Sequence, residues 1–142
     1  MNLNGSCHCK NIRYQLTLPK KLTEIPVRSC CCNFCKKHAA IYTSAANSRL
    51  LIEIKNSAQL LSYKFGTKTA EFCCCALCGN LCYVLSKIKG KNFAVINTNL
   101  LANKSEFRLI NSTANFNGES LESRLARREQ NWISEVDIVT NL

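Results

Sequence analysis

No stretch of eighteen consecutive apolar residues occurs in this chain, so the sequence predicts no membrane-spanning helix. The N-terminal segment MNLNGSCHCK lacks the charged-then-apolar pattern of an export signal. That absence predicts a cytoplasmic protein whose thiols are kept reduced. No linker or low-complexity tract interrupts the 142 residues, a length that suits one domain, 1–142, with a core of its own. Acidic residues are scarce, nine against nineteen Lys and Arg, and the formal net charge is +10. A basic surface attracts anionic substrates, nucleic acid or acidic lipid. The one denser basic stretch, Arg124, Arg127 and Arg128, has no aromatic residues interleaved with it, which argues against a nucleic-acid surface. It reads as a solvated helix face.

Cysteine is what the chain has in abundance. Eleven cysteines fall in three clusters: Cys7-His8-Cys9, then Cys30-Cys31-Cys32-Asn33-Phe34-Cys35, then Cys73-Cys74-Cys75-Ala76-Leu77-Cys78-Gly79, with Cys82 just beyond. An odd count, adjacent cysteines and the lack of an export signal argue against a disulfide framework. Thiolates two or three residues apart, with a small residue at the turn, are what a tetrahedral zinc ion needs. The arrangement predicts two zinc ions per chain. Seven thiolates and two dications together subtract three charges, leaving the protein at +7 and still basic.

In Cys75-Ala76-Leu77-Cys78-Gly79 a turn brings two sulfurs together, and the glycine relaxes the backbone beyond them. Cys7 and Cys9 supply a second close pair ahead of a strand. Two such pairs from distant parts of the chain make one closed four-thiolate site, a structural zinc that contributes directly to folding. Cys30, Cys32 and Cys35 instead form a C-x-C-x-x-C triplet, and three protein ligands with an open fourth position are the pattern of a catalytic zinc. His38, three residues after Cys35, is an alternative fourth ligand that would close this site. Of the remaining cysteines, Cys82 reads as a small core residue on a strand. Cys73 and Cys74 read as opposite faces of a strand with one of them buried. Cys31 reads as a reactive thiol or alternative ligand. Arg13, Lys36 and Lys37 are either steering charges for an anionic thiol or ordinary surface charge.

The alternating segment 12–16 and the short apolar runs at 40–44, 50–54, 60–65, 70–74, 81–85 and 93–97, with turn formers between several of them, predict a mostly antiparallel β fold. Pro19 and Pro26 bracket an expected loop, and residues 30–38 an expected cysteine knuckle opening a short helical turn. The only helix expected beyond it covers 120–128, with Ser120 as its cap. Trp132 and Ile133 are expected to pack the tail onto the rest.

Order and spacing of the three clusters resemble the family of glutathione-dependent formaldehyde-activating enzymes and their relatives, which include the centromere protein V domain. That family opens with G-x-C-x-C running into a strand, matched by Gly5-Ser6-Cys7-His8-Cys9. It continues with C-x-C-x-x-C and basic residues, matched by Cys30 to Lys37, and then C-x-x-C-G, matched by Cys75 to Gly79. The resemblance is strongest over 3–100, with 101–142 as a tail packed on that part and Trp132 matching a tryptophan near the family's end. It implies a β-tent fold, small antiparallel sheets pinned by zinc with little helix. It implies Cys7, Cys9, Cys75 and Cys78 as structural zinc ligands and Cys30, Cys32 and Cys35 as ligands of a catalytic zinc. It also implies carbon–sulfur lyase-type chemistry on a small thiol or thiol–aldehyde adduct, as in the joining of glutathione and formaldehyde to S-hydroxymethylglutathione. Cys31 stands where the family usually has His, and Cys74 where it usually has Phe. The rival readings are a non-catalytic zinc module for a protein or nucleic-acid partner and a thiol-rich redox or metal-buffering protein.

Overall fold

The computed structural model describes residues 1–141, so Leu142, the end of the expected 1–142 unit, lies outside the described residues. The described residues form strands β1 (Asn2–Ser6), β2 (Ile12–Thr17) and β3 (Glu24–Cys30), helix α1 (Asn33–His38), and strands β4 (Ile41–Thr43), β5 (Arg49–Ile54), β6 (Leu60–Tyr63), β7 (Glu71–Cys75), β8 (Leu81–Ile88), β9 (Lys91–Asn97) and β10 (Arg108–Ala114). Helix α2 (Leu121–Asn131) and strand β11 (Glu135–Thr140) complete them. The fold is mostly β, with little helix, as the sequence predicts. No helix among the described residues is long and apolar enough to cross a membrane.

Two sheets organise the chain. A four-stranded sheet runs β1-β2-β5-β11, and a seven-stranded sheet runs β10-β3-β4-β9-β8-β7-β6. Neighbouring strands pair antiparallel, except that β10 lies parallel on β3 and β11 parallel on β5. The pairing is thus mostly antiparallel, as expected, with two parallel edges. They join segments far apart in the chain, as a parallel pair must, because a tight hairpin cannot reverse the return path. The segment expected as a loop around Pro26 is strand β3 in its place. Its ladder with β4 engages only Arg28 and Ser29, so Pro26 lies outside it.

Period-two alternation decides which face each strand buries. From the four-stranded sheet, Leu3, Ile12, Tyr14, Leu16, Leu50, Ile52 and Ile54 meet Ile25, Val27, Tyr83, Ala94 and Ile96 of the seven-stranded sheet in one buried cluster. On the far face of the larger sheet, Val84, Phe93 and Val95 join Cys35, Tyr42 and Trp132 in a second cluster. The larger sheet is therefore covered on both sides. This is why Cys73 and Cys74 are both buried, at 1% and 6% exposure, where the sequence alone favoured one. Cys73 belongs to the first cluster and Cys74 to the second. Cys82 is fully buried in the first.

Helix α2 starts at Ser120, whose hydroxyl accepts from the Ser123 N–H at 3.1 Å. It ends against the larger sheet, where Ile133 exchanges both backbone hydrogen bonds with Ala94 at 3.0 and 2.9 Å. Trp132 and Ile133 are both buried.

The glycine of the first motif has a packing reason. Gly5 pairs with Tyr14 across β1 and β2, and a Cβ at position 5 would overlap the Tyr14 ring. That ring cannot retreat freely, because its hydroxyl donates to the Asn97 carbonyl of the other sheet at 2.8 Å. Gly5→Ala is expected to destabilise the protein by about 1–3 kcal/mol through overpacking. Urea unfolding of the metal-loaded protein checks this, and an unchanged midpoint would contradict it.

Candidate metal centres

Two groups of thiols converge in the fold. In the first, the turn between β1 and β2 carries Cys7 and Cys9. It closes through Cys7 N–H to Ile12 O at 2.9 Å and Lys10 N–H to Cys7 O at 3.0 Å, with Lys10 left-handed at φ 66°. Cys75 ends β7, and the following turn returns Gly79 N–H to Cys75 O at 2.8 Å with Gly79 at φ 82°, a conformation glycine adopts without strain. The sulfurs of Cys7, Cys9, Cys75 and Cys78 all lie within 4.8 Å of one another. Cys7 and Cys9 are 3.7 Å apart and Cys9 and Cys75 3.5 Å. A tetrahedral zinc ion with Zn–S near 2.3 Å sets its sulfurs about 3.8 Å apart, so this donor set fits one.

The surroundings of this group bind its two loops together. Ile12 N–H donates to the Cys7 sulfur at 3.3 Å. The Asn80 side-chain oxygen accepts from His8 N–H at 2.8 Å and from the Cys78 thiol at 3.6 Å, so Asn80 touches both loops. Sequence reasoning missed Asn80; its only signal is that it follows the C-x-x-C-G segment. Burial pushes the Cys7 thiol up to about 12. At Cys78 burial works in the same direction but is outweighed by the N–H groups of Cys9 and Asn80 and by the Cys75 and Cys7 thiols, which bring it down to about 6. Ligation of a metal requires all four as thiolates, so metal uptake here releases protons.

The second group joins the end of β3 to the start of α1. Cys30 is the last residue of β3, and Cys32 caps α1, its sulfur accepting from Cys35 N–H at 3.4 Å. The sulfurs of Cys30, Cys32 and Cys35 lie within 4.8 Å of one another, close enough for one ion to take three of its ligands from them. The Tyr42 hydroxyl sits 3.2 Å from the buried Cys35 sulfur. A hydrogen bond from the Cys35 thiol holds Cys30 well below the usual thiol range, and the same contact pushes Cys35 up. His38 does not join this group; its ring packs on Phe34 with centroids 4.6 Å apart. Cys31 also stands apart, its N–H bonded to Ala114 O at 2.9 Å.

A cavity of about 200 Å³ lies against all three thiols of the second group. Tyr42, Phe72, Val84, Val95 and Trp132 form its apolar walls, and Arg28, Arg124, Arg127 and Arg128 its polar ones. Arg13, Lys36 and Lys37, the steering charges considered from sequence, do not line it. The arginines of α2 correct the reading of a solvated helix face. Arg128 is only 7% exposed. Arg124 and Arg127 are held by Glu119 at 3.3 and 3.0 Å, and the Arg127 guanidinium lies 3.6 Å from the Phe116 ring centre. Residues 124, 127 and 128 recur at the spacing of a core-facing helix stripe, a signal that their charge conceals in the sequence.

The family profile described as glutathione-dependent formaldehyde-activating enzyme matches residues 2–116. The chain belongs to this family. The crystal structure of a Rhodobacter sphaeroides protein, solved as a structural-genomics target, is similar at 25% identity and a TM-score of 0.56, covering 75% of this chain and 99% of that one. No curated protein matches the chain significantly.

Elemental analysis of protein purified without added metal or chelator should find two zinc ions per chain and one in Cys32→Ser, with the fold retained. Cys75→Ser should lose the other zinc and the cooperative fold with it. A Cys75→Ser protein with intact folding and metal content would refute the assignment of the first group. Loss of both metals in Cys32→Ser would refute independence of the two.

Proposed function

We propose that the protein is a zinc-dependent enzyme that makes or breaks a carbon–sulfur bond in a thiol adduct of the glutathione–formaldehyde type. In this reading residues 1–142 act as one domain carrying two zinc ions. Cys7, Cys9, Cys75 and Cys78 hold a structural ion. Cys30, Cys32 and Cys35 would hold a second. The observation that carries the reading is the cavity laid against the three-thiol group. A three-ligand site beside a cavity is suited to catalysis, whereas a closed four-thiolate site is suited to structure.

Zinc bound there supplies Lewis acidity, lowering the pKa of a thiol and polarising an oxygen. The chain's own residues supply the rest. The Tyr42 hydroxyl beside Cys35 orients that ligand. Phe72, Val84, Val95 and Trp132 keep the cavity apolar, which strengthens charge interactions within it. The lining arginines draw anions toward it. Thiol and aldehyde held in one cavity react as an oriented pair rather than by chance encounter. Sulfur attacks the aldehyde carbon, the carbon–sulfur bond forms, the carbonyl π pair moves onto oxygen, and the thiol proton ends on that oxygen.

The eleven cysteines are free thiols, which suits a reducing, cytoplasmic setting. The rival reading, a binding module with both metals closed, asks for His38 as a ligand, and the packing of His38 on Phe34 speaks against it.

The test is to follow ¹³C-formaldehyde and glutathione by NMR with and without the zinc-loaded protein. Exchange between free aldehyde and adduct should accelerate, and Cys32→Ser should lose about two orders of magnitude or more of that acceleration. No acceleration with glutathione or any other thiol would return the protein to the binding-module reading.

A further inference from the structure

Four side chains face two hollows at once. Arg28, Phe116, Arg127 and Trp132 line the cavity beside the second cysteine group, and they also line an outer depression together with Ser44, Ala45, Ala46 and Asn131. They are therefore a partition between that depression and the three thiols. Two of the four are fixed. Trp132 is buried in the far-face cluster, and the residue after it, Ile133, is bonded to Ala94. Arg28 belongs to β3, and its Nη1 donates to Ser44 Oγ at 3.2 Å.

The other two hang on one carboxylate. Arg127 pairs with Glu119 through two parallel bonds, Nε to Oε2 at 3.0 Å and Nη2 to Oε1 at 3.1 Å, a geometry that fixes a guanidinium firmly. Arg124 Nε donates to the same carboxylate at 3.3 Å, and Arg124 Nη2 donates to Phe116 O at 3.3 Å. The Phe116 ring rests on the Arg127 guanidinium. Among the described residues, segment 115–118 makes no other hydrogen bond outside its own turn. Its polar ties to the rest of the fold therefore run through two arginines that Glu119 holds in place. Burial, and after it the Arg127 charge, pulls the Arg28 guanidinium below its ordinary pKa. The two cations thus repel across the partition, and only the Glu119 pairing keeps Arg127 there.

We infer that Phe116 and Arg127 are a gate between the outer depression and the three-thiol cavity, and that Glu119 is the latch that holds it shut. Released from Glu119, Arg127 swings away from Arg28, Phe116 loses the cation it rests on, and the two hollows join. Gates of this kind admit a ligand and then exclude water from it. Glu119 and Phe116 thereby set the size of ligand that reaches Cys30, Cys32 and Cys35, since one larger than the inner cavity of about 200 Å³ needs the joined hollows. The chemistry of that ligand rests on the proposed function, whereas the gate itself does not.

Trp132 is the single tryptophan of the chain and stands in the partition, so its fluorescence reports the gate without reference to metal or activity. In the protein as purified, the neutral quenchers acrylamide and succinimide should reach it poorly. Glu119→Gln and Phe116→Ala should each raise the quenching constant several-fold, with the larger gain for succinimide, the bulkier of the two. Glu122→Gln, which alters an exposed carboxylate on the same helix, should change nothing. Added salt should raise quenching in the unsubstituted protein as well, because it screens the Glu119 pairs. Alkylation of Cys82, fully buried on the opposite face of the sheet, reports any loosening of the whole fold and should stay slow throughout. Quenching unchanged by both substitutions and by salt, equal gains for the two quenchers, or a rise matched by faster alkylation of Cys82 would overturn the inference. A gate that behaves as described in a protein that accelerates no thiol–aldehyde exchange would sink the proposed function and leave the gate standing.

Discussion

Four sulfurs gathered from two sheets are the constraint on which the rest of the fold depends. Cys7 and Cys9 belong to the turn that leaves β1 of the four-stranded sheet, while Cys75 and Cys78 belong to the turn that leaves β7 of the seven-stranded one. The sheets otherwise meet mainly through side chains, with the Tyr14 hydroxyl on Asn97 O as one polar tie and the Ala102 N–H on Asn4 O at 2.8 Å, just beyond β9, as another. A structural zinc ion in small zinc-binding peptides is worth about 10–16 kcal/mol at pH 7. That is as large as the net stability of a typical domain, about 5–15 kcal/mol. An ion held at this junction would decide whether the two sheets stay in register.

Covering the larger sheet on both faces lets one strand serve two purposes. Alternate residues of β9 face different cores: Ala94 and Ile96 pack toward the smaller sheet, and Phe93 and Val95 toward the helices. The first face is a plain hydrophobic interior. The second is interrupted by the cavity, whose floor is the sheet and whose rim is α2 and the segment carrying Phe65 and Thr67. The three-thiol group thus sits beside the sheet that forms the floor, while three of the four arginines of the charged wall come from a separate helix tied down by Ile133 and Trp132 and the fourth, Arg28, from β3. Rigid placement of this kind is what a precise binding geometry asks for.

Which cysteines converge was the most legible part of the sequence, because a turn that pairs two thiols is local and its spacing survives in the linear text. The grouping of Cys7 and Cys9 with Cys75 and Cys78, and of Cys30 with Cys32 and Cys35, is the grouping that the folded chain brings together. The central strands were equally legible, each having a short apolar run between turn formers. β10 and β11 were not. They carry alternating but largely exposed side chains and pair only with strands far away in the chain, so no local pattern marks them. The α2 arginines were misread for a related reason. A charged residue ordinarily faces water, and only the tertiary packing against Thr69 and Ser86 turns Arg128 inward.

The two parallel edge pairings also fix an order of assembly. Glu24 waits for Arg108, and Arg49 waits for Glu135. A chain emerging from the ribosome therefore carries β3 and β5 with an open edge each until nearly all of it has been made. Exposed edges of this kind invite pairing with other chains. Contacts of such long sequence separation also form slowly. The strand that ends in Cys30 is one of the two left waiting, so its thiols stand beside an unfinished edge for much of synthesis, and early capture of metal would protect them as well as the fold.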